Sequence, residues 1–273
     1  MTKPNLLELQ GVQLLYLAEG GANVIYRFVT TTTLPPQLSG KLLRLRKQTA
    51  ADISYTEIVR NFDTIIRPLF TADELVDQTL IRLTDGLLVQ CNEQLRVAER
   101  NNLRPQKRHG SYLCLSEPFG LLVTDMTANN SAMLAELKPK WLIQSPSAPA
   151  SAYRCRTCAL REMKNRECEL VKKQKSFCPL DLVSEMYENV YRATGLIKCK
   201  DRSRLARILF RNPTLLRLQS LQKTEREVGL FGPEMGSWDM SLAMTLRDCT
   251  MFVKVSILYL GTYPAYWPGG VDC

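Results

Sequence analysis

Histidine is nearly missing from this 273-residue chain, which has one, His109. That excludes a multi-histidine metal site. A Ser-His-Asp relay is left with a single candidate base in the polar stretch Arg108-His109-Gly110, where a solvated loop residue is expected instead. No uninterrupted apolar run approaches the roughly 18 residues of a membrane helix, so no membrane partner is expected. The opening Met1-Thr2-Lys3-Pro4-Asn5 is too polar to begin a secretory leader, and an intracellular protein is expected. In that setting the nine cysteines read as reduced thiols, not a disulfide framework. Walker A, G-x-x-x-x-G-K-[ST], is absent, as are the protein-kinase H-R-D and D-F-G motifs. There is no internal repeat and no low-complexity tract.

Basic charge is abundant and unevenly placed. The net charge is +9. Residues 154–175 hold eight Lys or Arg against three Glu, and residues 198–223 hold eight more against Asp201 alone. Clustering of this kind produces a field that recruits anions. A nucleic acid, a membrane surface or a small polyphosphate would each satisfy it.

Periodicity predicts β structure first. Residues 12–17 and 24–29 are apolar runs joined by Ala18-Glu19-Gly20-Gly21-Ala22-Asn23, a connection suited to antiparallel strands. Residues 41–47 read as a half-exposed strand, and further strands are expected around 86–91 and 120–125. Apolar positions recur at three and four over residues 53–70, predicting an amphipathic helix. Thr71 with Asp73-Glu74 predicts a capped short helix. Residues 101–111 read as a surface loop. Beyond a linker at Pro146 and Pro149, helices are expected over 150–166, 180–194, 202–210 and 213–221, and a strand over 241–257. The expectation is an α+β chain of two lobes, residues 1–135 and 136–273.

Several groups carry chemistry. In Glu136-Leu137-Lys138-Pro139-Lys140, an extended backbone would put Glu136, Lys138 and Lys140 on one face, and two adjacent ammonium groups repel unless a polyanion lies between them. Gly20-Gly21-Ala22-Asn23 would let backbone N–H groups approach phosphate, though a double glycine in a hairpin also serves as a plain turn. In a helix, Arg154 and Arg161 share a face and could grip a polyphosphate, or simply be solvated. Cys155, Cys158, Cys168 and Cys178 include one C-x-x-C and could hold structural zinc, although the second pair is irregularly spaced. Asp248, between two apolar stretches, could orient a hydroxyl or bind Mg²⁺.

Together these stretches resemble the inositol-pentakisphosphate 2-kinase family in its fungal form. The resemblance runs through Glu19 to Asn23, Lys41 to Lys47, Leu122 to Thr127, Glu136 to Lys140 with Trp141 to Pro149, Arg154 to Arg161, Pro179 to Leu182, and Met244 to Cys249. It implies a two-lobed fold distantly related to protein kinases. It also implies ATP- and Mg²⁺-dependent phosphorylation of the 2-hydroxyl of inositol 1,3,4,5,6-pentakisphosphate, giving inositol hexakisphosphate (phytate), by a monomer in nucleus or cytoplasm. Carried over, Gly20, Gly21, Ala22, Asn23 and Arg44 would bind ATP, Lys138 and Asp248 would be catalytic, and Lys140, Arg154 and Arg161 would hold substrate. The resemblance stops after Asp248, where an Asp-Leu-Asp-x-Lys block is expected. Here residues 251–273 have only Lys254 and Asp272 as charges, so weak turnover is expected of the chain as written. The rival readings are a nucleic-acid binder and a zinc-stabilised interaction module. Phe210 is the only aromatic among residues 198–223, which argues against base stacking there and against direct nucleic-acid binding.

Overall fold

The computed structural model describes residues 4–49, 53–127, 132–167, 173–224 and 238–256. Cys168 and residues 257–273 lie outside them, and so do the expectations placed there. The described residues form two compact units, one ending at Asp125 and the next beginning at Met126. No described helix is long and apolar enough to cross a membrane.

The first unit is a five-stranded antiparallel sheet with order β1-β2-β3-β5-β4, made from β1 (Val12–Glu19), β2 (Asn23–Thr30), β3 (Lys41–Arg46), β5 (Phe119–Thr124) and β4 (Gln78–Arg82). Alternation sends Val24, Tyr26 and Phe28 of β2, and Leu43 and Leu45 of β3, into one core with Leu87, Cys91 and Leu95. Gly120 of β5 passes close to this core, where an added Cβ would lie 3.0 Å from both Leu43 and Leu83. Glycine there is a packing requirement.

Two expectations fail for one reason. Residues 86–91 are not a strand: β4 lies earlier, and Leu87 opens α2 (Leu87–Arg100), whose buried Leu87, Cys91, Leu95 and Ala98 recur at four, four and three. The strand expected over 241–257 is, among the described residues, α7 (Trp238–Asp248) followed by β7 (Met251–Ser256), with Ala243 and Leu246 buried at helical spacing. Short apolar runs satisfy both periods, and neighbouring elements decide between them.

The helix expected over 53–70 is α1 (Tyr55–Asn61), capped by Ser54, then a widened turn over Phe62–Ile66 and a tight one over Arg67–Leu69. Pro68 lacks an N–H and cannot continue an α-helix. Thr71 and Glu74 form the reciprocal cap that their spacing predicts.

The second unit contains β6 (Ala132–Leu137), which pairs antiparallel with β7. With them are α3 (Arg156–Glu167), α4 (Tyr187–Thr194), α5 (Arg202–Leu209) and α6 (Pro213–Thr224). The helix expected over 180–194 is instead a tight turn over Pro179–Val183 and then α4. Hydrogen bonding at Ser184 to Met186 and Asn189 breaks the run.

Candidate active site

In the first unit, the β1–β2 turn is closed by Gly20 N donating to Asn23 O at 2.8 Å, and Lys47 N donates to Ala22 O at 2.8 Å. A Cβ at Gly20 would meet nothing within 4 Å, and one at Gly21 would meet only Arg108 Nη1 at 3.7 Å. Neither glycine has the positive φ that would demand it. Packing and backbone geometry therefore do not explain the double glycine.

Behind the turn is a fully buried ionic group. Lys47 Nζ bonds to Glu19 and, at 3.0 Å, to Gly20 O, while Arg104 grips both Glu19 oxygens at 2.8 Å and reaches Glu99 at 2.7 Å. Burial alone would raise the Glu19 pKa, but hydrogen bonds from Arg104, Lys47 and Tyr16 outweigh it and hold the carboxyl at about 2. Burial, reinforced by the Glu19 carboxylate, pushes the Tyr16 hydroxyl up to about 12.

Arg44 and Asn23 are brought together by Tyr55, a residue with no local sequence signal. Its hydroxyl donates to Asn23 Oδ1 at 2.8 Å and also meets Arg44. Its backbone N–H donates to the buried Glu117 at 2.9 Å. Residues 41–47 are less exposed than expected, because Arg46 is buried against Glu117 at 3.3 Å. His109 is exposed, with Nε2 3.3 Å from Arg104 O, as expected of a loop residue.

In the second unit, β6 stops at Leu137, so the lysines are not on a continuous strand. The alternation still persists: Glu136 and Lys138 are exposed, while Leu137 and Pro139 are buried. Lys140 then turns left-handed with φ 60°, a conformation that costs a non-glycine residue about 1–2 kcal/mol. Across from them α7 ends at Asp248. Its Oδ2 lies 3.2 Å from Lys138 Nζ, and its Oδ1 bonds to Lys140 Nζ. The hydrogen bond from Lys140 lowers the Asp248 pKa most, with Lys138 adding to it. Two neighbouring lysines and an aspartate more than a hundred positions away thus share one half-exposed point. Beside them the Trp141 ring meets two guanidinium groups, Arg156 at 4.8 Å and Arg247 at 4.2 Å from the ring centre.

Arg154 and Arg161 line a cavity of about 540 Å³ with Cys158, Glu162, Asn165, Arg166 and Lys173. Both already have protein partners. Arg154 pairs with Glu162, and Arg161 donates to Phe177 O at 3.2 Å and to Cys158 Sγ at 3.1 Å. Next to them the sulphurs of Cys155, Cys158 and Cys178 all lie within 4.8 Å of one another, close enough to hold a metal. Cys178 donates to Cys155, which lowers the Cys155 pKa and raises that of Cys178.

The antiparallel sheet followed by a mostly helical region defines a chain of α+β build. A family model described as inositol-pentakisphosphate 2-kinase matches residues 16–201. A Yarrowia lipolytica protein named inositol-pentakisphosphate 2-kinase is 29% identical over 273 residues, covering 88% of this chain and 78% of its own length. A Debaryomyces hansenii protein of the same name is 28% identical over 299 residues, covering 88% of this chain and 75% of its own. The chain belongs to the inositol-pentakisphosphate 2-kinase family.

Proposed function

We propose that this chain transfers the γ-phosphoryl group of ATP to the 2-hydroxyl of inositol 1,3,4,5,6-pentakisphosphate, forming inositol hexakisphosphate. The observation that carries this is the meeting of Lys138, Lys140 and Asp248. Two ammonium groups on one exposed carboxylate leave net positive charge at a point where a polyphosphate can replace the carboxylate as their partner. Phosphoryl transfer is mostly positioning and charge neutralisation, which these groups supply.

In this reading the first unit is the nucleotide lobe. Gly20 to Asn23 cover the phosphates, and the open space at Gly20 fits close approach of a ligand. Arg44 is held nearby through Tyr55 and Asn23. Bound ATP supplies the phosphoryl group. The second lobe, opening at Glu136, holds the inositol: Lys138 neutralises charge at the transfer point, and Lys140, Arg154 and Arg161 meet substrate phosphates. Asp248 orients the 2-hydroxyl and takes its proton as the new O–P bond forms. The whole is a two-lobed kinase fold distantly related to protein kinases.

Mg²⁺ fits less well. Both oxygens of Asp248 are engaged by lysines, and among the described residues no metal-ligating trio gathers except the three cysteines.

The test is to incubate the purified chain with inositol pentakisphosphate, ATP and Mg²⁺ and separate the products by anion exchange. Inositol hexakisphosphate formed together with equimolar ADP is expected. ADP alone, or a different phosphorylated product, would contradict the reading.

A further inference from the structure

Gln222 lies on α6 and is 1% exposed. Its carboxamide is fully used. Oε1 accepts from Leu142 N at 2.7 Å, and Nε2 donates to Lys140 O and to Leu246 O, each at 2.8 Å. One turn earlier Gln219 Nε2 donates to Leu142 O at 3.0 Å. α6 thereby satisfies the backbone of the chain leaving β6 much as a neighbouring strand would.

The two Nε2 bonds lead to different elements. One holds the carbonyl of Lys140, the left-handed residue that ends the lysine-bearing turn. The other holds a carbonyl in the last turn of α7, two residues before Asp248. A buried apolar side chain would pack at this position but join nothing. Only a neutral amide offers one acceptor and two donors in a fixed plane.

We propose that Gln222 is a positioning residue for the Lys138–Lys140–Asp248 centre, its carboxamide fixing the lysine-bearing turn against the aspartate-bearing helix end. This rests on the reading of that centre as the substrate and transfer site. Gln222→Met removes all three hydrogen bonds, whereas Gln222→Glu keeps only the acceptor and sets a carboxylate oxygen against the carbonyls of Lys140 and Leu246. Either change lets the turn relax from the geometry in which Lys140 and Asp248 meet.

The test is calorimetry of inositol pentakisphosphate binding to the full chain, with thermal melting of the same samples, for wild type, Lys140→Ala, Gln222→Met, Gln222→Glu and the double variant Lys140→Ala/Gln222→Met. Folded Gln222 variants should bind at least tenfold more weakly than wild type. The double variant should be little worse than Lys140→Ala alone, because Gln222 acts through that lysine. Wild-type affinity in folded Gln222 variants, alongside a weakened Lys140→Ala, overturns the positioning role and leaves the centre intact. Wild-type affinity in Lys140→Ala, or no binding by the wild type, overturns the centre and this inference with it. If neither Gln222 variant folds, Gln222→Asn, which is one methylene shorter, gives the same readout. Failure of all three to fold would assign the amide to stability alone and overturn the proposal.

Discussion

Gly20 and Lys140 illustrate opposite relations between a residue and its backbone. Lys140 adopts a left-handed conformation that suits glycine better, and Gly20 adopts one open to any residue. In the proposed site, the lysine stands at a strained position and the glycine at an unstrained one, so neither residue type is set by its own backbone. Gly20→Ala should therefore change the melting temperature by little, since a Cβ there meets nothing within 4 Å. It should nevertheless raise the KM for ATP several-fold, because the methyl group stands where the nucleotide must approach. Steady-state kinetics and a melting curve on the same preparation check both halves. An unchanged KM would make the double glycine an ordinary turn.

At the scale of elements, the buried Glu19–Lys47–Arg104 group ties the β1–β2 turn to β3 and to the segment after α2. Its carboxyl titrates at about 2 in place of 4.5, a difference of about 3 kcal/mol. A depressed carboxyl pKa stabilises fully above the unfolded value and loses that contribution as pH falls through the folded one. Stability measured by urea unfolding should thus decline as pH falls from about 4.5 toward 2, more steeply in wild type than in Glu19→Gln. Glu19→Gln should itself be less stable at pH 7 by about 3–5 kcal/mol, because it leaves the buried Lys47 without a carboxylate and Arg104 with Glu99 alone. Equal pH slopes in the two proteins would show that Glu19 is not the titrating group.

The group of Cys155, Cys158 and Cys178 carries a second element-scale prediction. If the Cys155, Cys158 and Cys178 sulphurs hold zinc, the purified chain should contain the metal, and a chelator should lower its melting temperature, as Cys158→Ser should. A metal-free chain that melts identically with and without chelator would leave them as thiols. The C-x-x-C spacing was visible in the sequence. Cys178 was named with it from the sequence, and the structure brings its sulphur to the pair although the spacing is irregular.

At the scale of the whole molecule, the alternating runs of β1, β2 and β3 were legible because one buried face imposes period two. The caps at Ser54 and Thr71 are local chemistry, and the Thr71 cap was legible for that reason. What could not be read was α2 against β4, and α7 against β7, where a short apolar run satisfies both periods. The candidate site divides in the same way. Lys138, Lys140 and Asp248 stood out as charges beside apolar runs, whereas Tyr55, Trp141 and Gln222 matter through contacts with distant residues. Family resemblance supplied the chemistry that spacing alone left open.

The central claim is that Lys138, Lys140 and Asp248 form the phosphoryl-transfer centre. Its most direct test is a single-turnover reaction with enzyme in excess over labelled inositol pentakisphosphate and γ-labelled ATP, comparing wild type with Lys138→Ala. The wild type should place the label on the 2-oxygen of inositol hexakisphosphate. Lys138→Ala should do so about a hundredfold more slowly while its melting temperature stays close to wild type, the loss typical of removing one charge-stabilising group. Equal rates in the two proteins, or label at any other oxygen, would contradict it.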